Sequence, residues 1–214
     1  YRQYLPDPMP ADRYETEKDL TLSLIQEASE IAGSADATSD VAGVNFSHSL
    51  RHLEVLSLIR PTDDDVLVAM AFCWNALART LPEAERAPAY ALAADFAKQA
   101  EESSLSLTQQ GMALMGQAAA QKGAAQKALL DQAVEVLQRA LDMKTHQAAT
   151  AYAMAQAAAL RKDAATAEAM LRVAAEGDNA ASSLFVTTDP AFISLHSQPW
   201  FLEVAGLFPQ SPKS

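Results

Sequence analysis

The octapeptide AVEVLQRA at residues 133–140 is followed 34 residues later by AEAMLRVA at residues 167–174. Each begins with alanine, has leucine at its fifth position and ends with alanine. Positions separated by four and then three residues lie on one face of a helix, so each octapeptide presents a small, a large and a small side chain in a row. Small residues let a neighbouring helix approach closely, and the leucine fills the space between them. The recurrence therefore predicts two helices that pack in equivalent ways.

Each of these two helices follows another alanine-rich helical stretch, which predicts two helix pairs. Residues 107–122 and 125–143 form the third pair of the chain, and residues 147–162 and 164–176 form the fourth. Gly177 follows the last helix, where a glycine favours a left-handed C-cap. Equivalent positions in the first helices of the two pairs are 39 residues apart rather than 34, so a longer connector is expected within the third pair.

Two more helix pairs are predicted nearer the start of the chain. A helix from Asp19, a loop of small residues over 33–43, and a helix that stops before Pro61 form the first pair. Residues 66–81 and 83–103 form the second pair, and a side chain just before it is expected to cap its first helix. The candidate caps are Thr62, Asp63 and Asp64.

The composition favours helices along the whole chain. Alanine, the strongest helix former, accounts for 45 of the 214 residues, while valine and isoleucine are sparse. The ten prolines leave the region between Pro88 and Pro190 free of this helix breaker. The sequence therefore predicts an all-α fold.

A helix–turn–helix unit of 34 residues with this small–large–small spacing resembles the tetratricopeptide repeat. The same spacing occurs in the first pair and, with alanine at the large position, in the second: Ser49, Leu53 and Leu56, then Ala93, Ala97 and Ala100. The resemblance covers roughly residues 20–176 and implies an α-solenoid of about four antiparallel repeats. The family's first-helix Trp and Tyr are mostly replaced by Ala and Met, so a general α-solenoid and an irregular helical bundle are the alternatives.

The end of the chain differs in character, because DPAFISLHSQPWFLEVAGLF at residues 189–208 is rich in aromatic residues. It resembles the segment that often closes tetratricopeptide arrays, through Asp189, Pro190, Phe192, Leu195, Pro199 and Phe201. Such a segment is expected to cover the apolar face of the last repeat. The covering side chains would be Phe192, Leu195, Trp200, Phe201, Val204 and Leu207. The predicted organisation is an irregular lead-in (1–18), a repeat domain (19–178), capping helices (179–208) and a tail (209–214).

The charge distribution narrows the class of partner. The net charge is −11, and residues 1–106 contribute −10 of it, from 18 acids and 8 bases. An acidic surface disfavours nucleic acid and anionic lipid, and favours a basic or neutral partner. The sequence contains no run of 18 apolar residues, so no membrane span is predicted. The single cysteine favours a reducing, cytoplasmic compartment, while the start at Tyr1 leaves export or anchoring after removal of an N-terminal segment open.

Few residues suggest chemistry. Gly-rich phosphate loops and a nucleophile elbow are absent, and Cys73 lies in an apolar helix, so no enzyme activity and no cofactor are expected. His48 and His52 lie four residues apart on one helix face and could share a metal ion. However, Ser49 follows His48 where a zinc protease has Glu, and no third ligand is evident. We expect solvated or hydrogen-bonded histidines, and a metal- or ligand-binding helical protein is the alternative.

The resemblance implies that the first helix of each pair lines a concave face. First-helix residues outside the predicted packing positions are the candidate partner-binding residues, and the alternative is that they are only solvated. They are Phe72, Asn75, Arg79, Gln110, Gln117, Gln121, Tyr152 and Gln156. Amide side chains can bind an extended peptide backbone, and aromatic rings give apolar contact. The predicted function is a non-enzymatic protein–protein interaction scaffold for a peptide or protein partner. A helical accessory or assembly domain of a larger enzyme or envelope complex is the other interpretation.

Overall fold

The structure is a computed structural model, and it describes residues 9–32, 39–177 and 183–209. Within these ranges all regular secondary structure is helical, which confirms the all-α prediction. The helices are α1 (Ala11–Ala32), α2 (Ser39–Ile59), α3 (Asp64–Thr80), α4 (Glu83–Gln99), α5 (Ser104–Ala119), α6 (Gly123–Asp142), α7 (Gln147–Leu160), α8 (Ala164–Ala175), α9 (Ser183–Thr188), a 3-10 helix (Pro190–Leu195) and α10 (Phe201–Ala205).

Successive helices pack against each other from α1 to α8, so the predicted arrangement in consecutive pairs is confirmed. The first helices also form a continuous layer, in which α5 packs between α3 and α7. The second helices α4, α6 and α8 make no comparable contact with one another in the part of the chain that is described. Each pair therefore joins the next in two ways, through its second helix against the next first helix and through contacts between the two first helices.

The small–large–small positions lie in the core as predicted. All six are at most 1% exposed: Ala133, Leu137, Ala140, Ala167, Leu171 and Ala174. Leu137 of α6 packs directly on the backbone of α5 at Gly111. A Cβ atom at Gly111 would lie 2.6 Å from Cγ of Leu137, so a glycine is required for this close approach. The large residue of one helix thus fills the space that a missing side chain leaves on the other.

The beginning of the chain is helical earlier than predicted. Helix α1 begins at Ala11, so residues 11–18 are not the irregular lead-in that the sequence suggested, and residues 1–8 lie outside the described part. The cause is a long-range contact, because Tyr14 is fully buried and its hydroxyl donates to Asp63 beyond α2. Local polarity gives no signal for such a contact.

Two predictions that involve glycine are wrong, and a further glycine, Gly123, has a left-handed backbone. Gly43 lies inside α2, so the predicted 33–43 loop is wrong from Ser39 onward; residues 33–38 lie outside the described part. A Cβ atom at Gly43 would meet Oγ1 of Thr80 at 3.0 Å, so this glycine permits helix packing. Gly177 is not left-handed, and it makes room for Ala148, whose Cβ would lie 2.3 Å from a side chain there. Gly123 at the α5–α6 turn has a positive φ of 61°.

The longer connector predicted in the third pair is also absent. The α5–α6 and α7–α8 connections are equally short, at residues 120–122 and 161–163. The extra residues extend the helix instead, because α6 has 20 residues and α8 has 12. Among the candidate caps, Asp63 is the one used, since its side chain accepts the Val66 N–H at the start of α3.

The C-terminal segment packs on α7 and α8 as predicted, and four of the six proposed covering side chains are buried: Phe192, Leu195, Phe201 and Val204. Trp200 is half-buried. Leu207 is wrongly predicted, because it is 53% exposed and Phe208 takes the inward position in the turn after α10. None of the helices in the described ranges combines the length and hydropathy needed to cross a bilayer.

A cluster of charged residues joins α1 to the start of α3. Lys18 Nζ lies 3.3 Å from Oδ2 of Asp63, and it also pairs with Glu15 and Asp65. Partial burial acts to raise the pKa of Asp63, but hydrogen bonds from Val66 N–H and Lys18 outweigh it and lower that pKa below its ordinary value of 3.8. Burial and the neighbouring Asp63 raise the pKa of Tyr14 to about 12.

The lowered pKa of Asp63 predicts a pH-dependent contribution to stability. A group whose pKa falls on folding stabilises the protein above its unfolded pKa and loses that effect as the pH falls through the folded value. We expect Asp63→Asn, which retains a capping side chain, to lower the free energy of unfolding by about 1 kcal/mol at pH 7, the upper value for an ion pair near the surface. The difference from wild type should shrink below pH 3.8. Urea unfolding at several pH values measures it, with exposed Asp19→Asn as the unaffected control.

Candidate partner-binding face

Buried hydrogen bonds connect each first helix to the next. Between α3 and α5, Nδ2 of Asn75 donates to the backbone oxygen and to Oε1 of Gln109, both at 3.0 Å. Between α5 and α7, the hydroxyls of Thr108 and Thr150 lie 2.8 Å apart, and the Ser104 hydroxyl donates to a backbone oxygen just before α7. These polar groups are shielded from water, so each contact fixes how two neighbouring units align.

The same kind of contact joins α7 to the C-terminal segment. The Tyr152 hydroxyl and Nε2 of Gln156 both donate to Oδ2 of Asp189, at 2.9 and 2.6 Å. The other carboxylate oxygen, Oδ1, accepts the Ala191 N–H and caps the 3-10 helix. The Tyr152 ring also lies edge-on to Phe192, with centroids 5.6 Å apart. The 3-10 helix therefore occupies the position that a further first helix would take.

Five of the eight candidate residues have contacts within the protein. Asn75 and Gln156 are buried and, like Tyr152, hydrogen-bonded as described above. Phe72 is half-buried and packs edge-on against Phe46, and Nε2 of Gln117 donates to the backbone oxygen of Tyr90. These side chains are positioned by packing between helices, which limits what they can offer to a partner.

Sequence reasoning missed the buried partners Gln109 and Asp189. They lie 34 and 33 residues beyond Asn75 and Gln156, close to the repeat length of the chain. A search for polar residues at that spacing would have found both.

Three candidate residues remain available on the first-helix layer. Arg79 is exposed in the last turn of α3, Gln110 is half-buried on α5, and Gln121 is exposed just beyond the end of α5. Arg79 has no ion pair within the described part of the chain. We call Arg79, Gln110 and Gln121 the open face.

The positive charge of Arg79 on α3 acts on the Tyr152 phenol of α7. Burial raises the pKa of the Tyr152 phenol, and the Asp189 carboxylate raises it further, while the positive charge of Arg79 partly lowers it. Arg79 lies on α3 and Tyr152 on α7, with α5 between them. The charge of Arg79 thus affects a first-helix residue two pairs further along the chain.

Two other groups considered in the sequence have clear geometry. His48 and His52 are both exposed on α2, and their Nε2 atoms lie 3.3 Å apart. Cys73 is buried, and burial raises the pKa of its thiol to about 12, so it is protonated at neutral pH. In the part of the chain that is described, His, Cys, Asp and Glu residues form no group of three or more suited to a metal ion.

The fold and its open face define an all-helical protein built from consecutively packed helix pairs. No known family pattern, no curated protein and no solved structure matches the chain significantly.

Proposed function

We propose that the chain is a non-enzymatic scaffold, a tetratricopeptide-like α-solenoid of about four repeats, that binds a peptide or partner protein along its first-helix layer. The recurring buried positions of α6 and α8 support a repeated unit. The hydrogen bonds Asn75–Gln109 and Gln156–Asp189 support it as well. Each joins two neighbouring units, and the two residues of each bond are 34 and 33 residues apart, about one repeat length. The observation that carries the binding face is the exposure of Arg79 in α3 and of Gln121 just beyond α5, with no ion pair to Arg79 within the described part of the chain.

The chemistry of the open face suits an extended peptide. Gln110 and Gln121 each provide an amide that can both donate to a backbone carbonyl and accept from a backbone N–H. Arg79 adds a cation that can bind a carbonyl or carboxylate oxygen of the partner. Phe72 and Tyr152 are half-buried and their rings are held by packing, so they offer a partner limited apolar surface.

A cross-linking experiment in cells of the source organism tests this proposal. A photoreactive amino acid is placed at Arg79 or Gln121 on the open face, and at Lys98 or Gln132 as exposed controls on the second helices α4 and α6. Mass spectrometry should find the same partner cross-linked from both open-face positions and from neither control. Equal cross-linking from all four positions would contradict a specific first-helix face.

Charge reversal at Arg79 should then weaken binding of that partner. We expect Arg79→Glu to reduce affinity by about tenfold, which corresponds to about 1.4 kcal/mol. Arg79 is exposed and unpaired in the described structure, so the change should leave folding intact. Lys98→Glu makes the same change on α4 and should bind as wild type does. Calorimetry with the purified partner measures both variants, and unchanged affinity in Arg79→Glu would exclude this residue from the interface.

A second candidate function is a helical accessory or assembly domain that contacts another subunit through its outer surface. Three large apolar side chains of the first pair are more than half exposed and favour this alternative: Leu20, Val44 and Leu58. Exposed apolar residues of this size often mark protein contacts when they are grouped. Cross-links from Leu20 and Leu58, with none from Arg79 and Gln121, would support the assembly function.

A further inference from the structure

We propose that His48 and His52 form a binding site for a divalent transition-metal ion of the Zn²⁺ class. Both side chains project from the same exposed face of α2, one helical turn apart. Their imidazole rings lie with centroids 4.8 Å apart at 69°, and their Nε2 atoms are 3.3 Å apart. The site is independent of the partner-binding function and lies on a second helix.

The distance between the two nitrogens matches the requirement of a tetrahedral ion. Zn–N bonds of about 2.0–2.1 Å at a tetrahedral angle separate two ligand nitrogens by about 3.3 Å. Both nitrogens can therefore coordinate one ion with little change in backbone or rotamer. The hydrogen bond between the rings requires a proton on one Nε2, and on metal binding this ring must become the Nδ1–H tautomer so that both Nε2 lone pairs reach the ion.

The surroundings leave room for the other coordination positions. His48 lines an open groove of about 520 Å³ between α2 and α3, together with Ser47, Arg51 and Thr80. In the described residues no third His, Cys, Asp or Glu completes the site, so water or a group from another molecule fills the remaining positions. Because the positive charge of Arg51 repels a cation, the site should bind more weakly than one with carboxylate ligands.

Calorimetric titration of the untagged full chain with ZnCl₂ tests the site. The chain has four histidines, so His146→Gln and His196→Gln are matched controls for His48→Gln and His52→Gln. We expect one ion per chain in the wild type and both controls, and binding weaker by at least about tenfold in His48→Gln and His52→Gln. Zn²⁺ should also raise the Tm of the wild type and not of His52→Gln, because binding to the native state stabilises it.

Two results would overturn the proposal. The first is the absence of Zn²⁺ binding to the wild type. The second is equal binding by wild type, His48→Gln and His52→Gln, which would place the ion on surface carboxylates. Circular dichroism of each variant confirms that the helices are intact, as expected for substitutions at exposed positions.

Discussion

Replacing Leu137 with alanine should lower the free energy of unfolding by about 2 to 5 kcal/mol, the range for removing a buried leucine side chain. Leu137 of α6 is fully buried among side chains of α5 and α7. Its removal would leave a cavity that the packed helices around it can fill only in part. Urea unfolding followed by circular dichroism measures the change. Leu92→Ala is the matched control, because Leu92 is 41% exposed on α4 and its removal should have a small effect.

The contact of Leu137 with Gly111 allows a more specific test. Gly111→Ala adds a Cβ atom 2.6 Å from the position of Leu137 Cγ and should destabilise the protein by about 1 to 3 kcal/mol through overpacking. In the double variant Gly111→Ala, Leu137→Ala, the added methyl group enters the space that leucine vacated. We therefore expect the double variant to be less destabilised than the sum of the single variants. Additive effects would show that the two positions are not in contact.

Removing the carboxylate of Asp189 should release the C-terminal segment from α7. Asp189→Ala leaves the Tyr152 hydroxyl and the Gln156 amide without their buried acceptor, at a cost of about 1 to 3 kcal/mol for each unpaired donor. It also removes the cap of the 3-10 helix. Hydrogen exchange should show lost protection in residues 183–208, while α3 and α4 keep theirs.

Asp142→Ala is the control for Asp189→Ala, because Asp142 is an exposed acid whose hydrogen bond to Gln138 lies on the surface of α6. It should leave hydrogen exchange of the C-terminal segment unchanged. If Asp189→Ala retained wild-type protection in residues 183–208, the apolar contacts of Phe192 and Phe201 alone would be sufficient to hold the segment.

The parts of the fold that depend on local pattern could be predicted from the sequence. The spacing of Ala133, Leu137 and Ala140 specifies one helix face, and these residues are all buried. The stop before Pro61 and the cap before α3 follow from backbone chemistry that operates over a few residues.

Features that depend on contacts between distant residues could not be predicted. The helical start at Ala11 depends on Tyr14 and Lys18 meeting Asp63. The role of a glycine was ambiguous for a related reason. Gly43 permits close packing of α2 against Thr80. In a sequence, a glycine that permits packing cannot be distinguished from a glycine that forms a loop.

The candidate site was also only partly predictable. The packing pattern leaves some first-helix positions free for a partner, and of these Arg79 and Gln121 are exposed. Asn75 and Gln156 are instead buried, because a polar side chain near the junction of two units can be satisfied by the next unit. The polarity of a residue alone does not show whether its side chain faces solvent or bonds to another residue of the same chain.

The 3-10 helix beside α7 also covers a surface to which a second molecule could otherwise bind. In an array of similar units, the exposed edge of the last first helix resembles an internal junction, so a second molecule could attach there and begin a fibre by head-to-tail association. Here the 3-10 helix (Pro190–Leu195) covers that edge of α7, and Asp189 accepts hydrogen bonds from the Tyr152 and Gln156 side chains. Such a short segment does not itself present a helix-length edge, so it covers α7 without offering an equivalent surface for association.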